Sequence, residues 1–343
     1  MMLCASAIAA GQEESPDAAD EAMDALRGRA PVGEQDDEVL DDWIARELAS
    51  LRDAPTDPER AERFRNRFKL QITNSDNVPE FVARFAERAG TAFMAELADC
   101  DRLAPPAARA LAWVLGDFDR VGTIDALEAG LKCANRPDVR YLCARAFVDL
   151  RDNVGPNPLL MEKALGILRE AGRVESNGLV VGQVYRALEF TNPDRFSAAT
   201  EAILDVLTAR LETRRAAPGG PTCDGGELQL LAFFTAHPPP ARALTVRLAG
   251  QLAVMLRLDV TRFGQEGVDE FEKLRLVEAI DACEALLVRL VVPNRAPNIR
   301  DAMNKDNDVR ILEMNIELNK WVGTPDTSGV LNEAPWSVPA GAP

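Results

Sequence analysis

The chain of 343 residues is short of several things, and each shortage closes off a class of function. It has one histidine, His237, so Ser-His-Asp, Cys-His and histidine-ligated metal mechanisms would all rest on a single imidazole. That imidazole precedes Pro238-Pro239-Pro240 in a break between helices, with no nucleophile beside it, and reads as a surface or packing residue. The six cysteines, at 4, 100, 133, 143, 223 and 283, form no Cys-x-x-Cys pair and have no regular spacing, which argues against both a zinc site and a dedicated disulfide framework. Only two tyrosines and four tryptophans are present, too few for the aromatic platforms that sugar-cleaving carboxylate pairs use. No run of 18 apolar residues occurs to span a bilayer. A basic stripe is also missing, which excludes nucleic acid as the expected partner.

Charge is plentiful but uneven. The net charge is −16, and residues 1–42 hold twelve acidic side chains against Arg27 and Arg29. The remainder is nearly balanced. With Pro16, Pro31 and Gly33 and few large apolar residues, this leader is expected to be disordered and solubilising, or else an acidic tail for a basic partner. The first ten residues, MMLCASAIAA, resemble the apolar end of a secretory signal, with Ala7-Ile8-Ala9 as a small-x-small site. No Lys or Arg precedes them, so export and a cytoplasmic location both stay open.

Hydrophobic residues make up 47% of the chain and aromatics 6%, a balance rich in Ala, Leu, Val and Arg that favours helix over sheet. Apolar residues recur at three- and four-residue steps in most segments from 37 onward. Val39, Leu40, Trp43, Ile44, Leu48 and Leu51 stripe a helix over 37–53, and others are expected from 57 to about 72 and from 79 to near 100. Helix pairs then follow with starts near 107, 138, 178, 227 and 268. In the third pair, Val181, Val184, Tyr185 and Leu188 are expected to oppose Ala199, Ile203, Val206 and Leu207.

Two segments echo one another 31 residues apart: Pro106 to Leu115 (PAARALAWVL) and Pro137 to Ala146 (PDVRYLCARA). Self-similarity at this period marks stacked supersecondary units. Pro137-Asp138-Val139-Arg140, with Ala144 and Ala146 behind it, resembles the first helix of a HEAT-like (armadillo-type) repeat, and Pro106, Ala108, Arg109 and Leu111 form a weaker copy. The motif match covers residues 106–171. The resemblance implies an all-α fold, a right-handed solenoid of antiparallel helix pairs whose surface binds other proteins. The organisation expected is a leader over 1–36, a helical repeat domain over 37–322 and a proline-rich tail over 323–343.

The motifs that mimic chemistry have simpler readings. Asp117 and Asp119 sit in a turn, and Glu201 with Asp205 share a helix face, as solvated or capping carboxylates do. Asn304, Asp306 and Asp308 alternate like a calcium loop, but Val309 and Asn315 replace its glycine and glutamate, so a helix N-cap at Asp306 or Asp308 is expected. The stretch PGGPTCDGG over 218–226 lacks the Lys-Ser/Thr of a phosphate loop and reads as a connection that exposes Cys223. In the tail, Val330, Leu331 and Trp336 are apolar on a polar extension: either a partner-docking peptide or a strap pinned to the chain's own helices. No catalytic, cofactor or metal residues are assigned. The function expected is a non-catalytic protein-binding scaffold or assembly subunit with an unidentified protein partner. The alternative is a helical enzyme or ligand-binding protein with carboxylates in a concave face.

Overall fold

A computed structural model describes residues 18–217, 225–291 and 298–338. The signal-like residues 1–10 with Cys4, most of the glycine-rich stretch with Cys223, and Pro293 and Pro297 lie outside the described residues. Those described form an all-helical protein of fifteen α-helices, without strands. They are α1 (Ala18–Arg27), α2 (Asp37–Asp53), α3 (Pro58–Thr73), α4 (Pro79–Leu97), α5 (Pro105–Phe118), α6 (Ile124–Leu131), α7 (Pro137–Val154) and α8 (Pro158–Val174). Beyond these come α9 (Gly178–Ala187), α10 (Pro193–Ala216), α11 (Gly226–Ala236), α12 (Arg242–Phe263), α13 (Glu270–Val291), α14 (Ile299–Met303) and α15 (Asn307–Val322).

Proline sets many of the helix starts. It occupies the first turn of α3, α4, α5, α7, α8 and α10, where the missing amide hydrogen breaks no intrahelical bond and the fixed φ suits the helix. Asp57, Asn157, Asn177 and Asn192 complete four of the starts by accepting hydrogen bonds from first-turn amides.

The helices sort into two rows. In one, α3, α5, α7, α9, α11 and α13 each pack on the next member; in the other the order is α2, α4, α6, α8, α10, α12. Val184 of α9 and Val206 of α10 do come together, both meeting the α8 backbone at Gly172, but the main packing of each helix is along its own row. The principal neighbours of α9 are α7 and α11, and those of α10 are α8 and α12, because a chain that alternates between rows places every second helix side by side. Small residues allow the close approaches: a Cβ on Gly172 of α8 would lie 2.8 Å from a Val206 methyl of α10 and 3.0 Å from one of Val184.

Side-chain bonds between successive units carry the period into space. Asn135 Nδ2 donates to Asp101, Arg136 to the carbonyls of Leu103 and Pro105, Asn153 to Asp119 and Arg151 to the carbonyl of Arg186, at offsets of 31 to 35 residues. Other bonds between units span more: Arg84 to Asp37 and Arg88 to Asp41 at 47, Arg247 to Asp205 at 42.

Few as they are, the aromatics are concentrated. Trp43, Phe64, Phe68, Phe81, Phe85, Phe93 and Phe118 form one cluster where α2 to α5 meet, with ring centroids of neighbours 4.6 to 6.4 Å apart. Phe68 at its centre is fully buried.

The leader departs from its disordered reading from residue 18 on, while the tail takes the strap form, one of its two expected readings. The leader is ordered from residue 18: α1 buries Met23 and Leu26, and its acidic face is taken up by arginines of the stack. Asp20 accepts from Trp43 Nε1 at 2.9 Å, Arg46 at 2.8 Å and Arg67 at 2.7 Å, while Asp36 pairs with Arg29. Charge that looks solvated in sequence is here half of a set of ion pairs. At the other end, residues 323–338 fold back on α12 and α15 through a short 3-10 turn at Val330–Asn332.

Candidate functional site

One candidate is a line of buried charges through the stack. Arg140 of α7 grips the Glu175 carboxylate with two bonds, 2.6 and 2.9 Å, and the Glu175 carbonyl accepts from Arg210 of α10 at 3.0 Å. Arg210 Nε donates to Glu227 of α11 at 2.7 Å, and Arg214, one turn on, pairs with Asp259 of α12. Further along, Glu284 of α13, with no exposed surface, accepts from Trp321 Nε1 at 2.8 Å and from the Ile299 amide at 2.9 Å. Glu227 is desolvated, yet Arg210 and Arg214 hold its carboxyl below the usual range. Burial wins at Asp259: despite Arg214, its carboxyl is pushed up to about 6. Its Oδ2 and Glu227 Oε2 have no hydrogen-bond partner among the described residues.

A perturbed buried carboxylate is a recognised sign of an active site. Asp259, however, is only 1% exposed and is flanked on α12 by buried Met255, Leu256, Val260 and Phe263. The line therefore works as internal joinery, crossing from each unit to the next.

The second candidate is open. Between α6 and α8 lies a groove of about 770 Å³. Its α6 wall carries Glu128, Leu131 and Lys132, and its α8 wall carries Ile167, Glu170, Ala171 and Val174. The groove exists because these two helices touch only thinly, whereas α4 packs fully on α6 and α8 on α10. α6 has eight residues against seventeen in α8, too few for a long seam. The base is fixed by the Arg140–Glu175 pair, with Arg140 also donating to the carbonyls of Cys133 and Ala134 at 2.6 Å. Gly166 opens the α8 wall further: a Cβ there would meet nothing within 4 Å. Val174 at the rim is 83% exposed.

A shallower cleft of about 470 Å³ continues on the far side of α6, sharing Glu128, Lys132 and Ala134 with the groove. Cys100 and Cys133 line it and are joined by a disulfide, a pairing hidden in sequence by the 33 residues between them. Cys143 and Cys283 are free and buried, and burial pushes the Cys143 thiol up to about 12.

The residues singled out in sequence lie elsewhere. Leu331 is fully buried, and Val330 and Trp336 pack partly buried against the core, so the strap reading replaces the docking peptide. Asn332 fastens it by donating to the carbonyls of Val322 at 3.2 Å and Val338 at 2.7 Å. His237 caps α11 and lies against Phe233, ring centroids 5.4 Å apart. Asp117 accepts from Arg65 at 3.1 Å, Asp119 from Asn153 at 2.9 Å and Asp205 from Arg247 at 2.6 Å; Glu201 lines a separate cleft between α8 and α10. Asp306 stands at the N-cap position of α15 but makes no capping bond with its carboxylate; its carbonyl takes the Arg310 amide at 2.9 Å.

No protein-family model matches the chain, and no curated protein or solved structure matches it.

Proposed function

We propose that the chain is a HEAT-like, right-handed solenoid of antiparallel helix pairs that works as a non-catalytic protein-binding scaffold or assembly subunit. The two-row packing and the bonds between units 31 to 35 residues apart support the architecture. The observation that carries the functional reading is the groove between α6 and α8. It is open to solvent, apolar along its α8 wall, and set on a base that the Arg140–Glu175 pair makes rigid. A preformed apolar surface with a polar rim is what a stack of this kind offers a partner.

The test is capture from the native source with in-cell cross-linking, comparing wild type with Val174→Glu. Val174 is so exposed that a charge there leaves folding intact. The expected result is a partner at stoichiometric yield that the variant loses. An identical set of captured proteins for both would remove the groove from the account.

The exported location fits the Cys100–Cys133 bond, since disulfides persist in oxidising compartments. Sequencing the N-terminus of the natural protein checks it: a start within the first dozen residues after Ala9 is expected, and an intact Met1 would point to the cytoplasm.

A further inference from the structure

A disulfide ties the ends of α4 and α6. Cys100 opens the short 3-10 turn Cys100–Arg102 that follows α4, and Cys133 lies just beyond the end of α6. The two turns are also joined without it. Asp101 accepts from the Asn135 amide at 3.3 Å and from Asn135 Nδ2 at 2.9 Å, and Arg136 donates to the carbonyls of Leu103 at 3.1 Å and Pro105 at 3.2 Å. Opening the bond therefore leaves the two cysteines side by side, placed to close it again.

The site suits the reduced form as well as the oxidised one. The carbonyls of Leu97 and Ala129 each lie 3.8 Å from Cys133 Sγ. Leu97 ends α4, so its carbonyl is among those that a helix terminus leaves without an intrahelical amide. A disulfide sulfur has no hydrogen to offer these oxygens, whereas a Cys133 thiol would donate to either. Stabilising the reduced form in this way makes a disulfide easier to reduce. Both cysteines, each 3% exposed, line the cleft of about 470 Å³, which gives a small thiol its approach from solvent. Cys143 packs against Gly130 of α6, but burial pushes its thiol up to about 12, so it stays protonated and outside the exchange.

We propose that Cys100–Cys133 is a redox switch: a dithiol opens it in the folded protein, a small-molecule disulfide closes it, and its state sets how firmly the end of α6 is held. A thiolate of the dithiol attacks Cys100 Sγ, the bond between the cysteines breaks, and Cys133, whose thiol has acceptors waiting, leaves and takes up a proton. The second thiol of the reagent then displaces Cys100 from the mixed disulfide. Two electrons and two protons have passed to the protein, and the reagent departs as its own disulfide. Closure reverses the exchange, with glutathione disulfide accepting the two electrons. The change is passed on through the carbonyls of Cys133 and Ala134, which accept from Arg140, the residue that grips Glu175 at the base of the groove. This inference does not depend on the scaffold reading.

The experiment keeps the full chain folded in dithiothreitol, then moves it to glutathione disulfide, with samples quenched in acid, unfolded, alkylated and mapped as peptides. Cys100 and Cys133 are expected to become alkylated together without urea and to be protected together again after oxidation. Hydrogen exchange on the same samples should be at least about tenfold faster over residues 128–136 in the reduced protein, with α12 and α13 unchanged. Cys100→Ser, fixed in the open form, should show the faster exchange in both buffers; should that variant not fold, the two wild-type samples decide the matter. A bond that opens only in unfolding urea overturns the proposal. So does reduction that leaves exchange over 128–136 unmoved, or closure that pairs Cys133 with Cys143.

Discussion

Asp259 has the clearest pH signature of any single residue in the chain. Its folded-state pKa, about 6, lies above the ordinary carboxylate value of 3.8, so protonation favours the folded state. The sign is opposite to the usual aspartate: stability from this group is present below pH 4 and is lost as pH rises through 6. At Asp36 and Asp37, hydrogen bonds from Arg29 and Arg84 hold the carboxyl low, so these groups add stability above the ordinary range and lose it as pH falls. Wild-type stability, followed by urea melts, should therefore fall at both ends of the range from pH 3 to pH 8. Asp259→Asn should flatten the segment between pH 4 and pH 7; an unchanged slope there would show that Asp259 titrates normally. Packing gives a second residue-scale expectation. Phe68→Ala, emptying the centre of the aromatic cluster, should cost about 3–5 kcal/mol in the same melts.

Much of the element scale was legible in the sequence, because the signals were local. Proline at the first turn and apolar striping place α2 to α4, and the starts of α5, α7, α9, α11 and α13, within a few residues of their observed positions. α1 was missed because its two anchoring side chains, Met23 and Leu26, sit among acids whose arginine partners lie 26 and 47 residues away. α14 has five residues, too few to show a period. The buried charge line was hidden for a similar reason: Glu175, Arg210, Glu227 and Asp259 look like surface charges until the rows bring them together. The groove arises from a seam left thin by a short helix, and no motif marks it. Two substitutions test the joints between elements. Glu175→Ala leaves Arg140 without its carboxylate and should destabilise by about 3–5 kcal/mol. Gly172→Ala drives a methyl into Val206 and should cost about 1–3 kcal/mol, with Val206→Ala restoring part of the loss; no rescue would place the strain elsewhere.

Across the whole molecule, bonds between units span from 31 residues, as Arg136 to Pro105 in the stretch that holds the echo, to 47, as Arg84 to Asp37. The groove opens beside the stretch that holds the echo, between α6 and α8. A set of charged side chains, Arg84, Arg88, Arg140, Arg210, Arg214 and Arg247 with their carboxylates, holds one unit to another. The groove and its adjoining cleft stand open on this surface, their carboxylates paired with neighbouring cations. On the proposed reading the groove is a preformed interface, where binding would cost little ordering on the side of the stack. The most direct measurement is quantitative capture by wild type and Val174→Glu side by side, with stoichiometry read by mass spectrometry. The account expects one partner near equimolar yield with the wild type and its loss with the variant. Equal recovery by both proteins, or no equimolar partner at all, would contradict it.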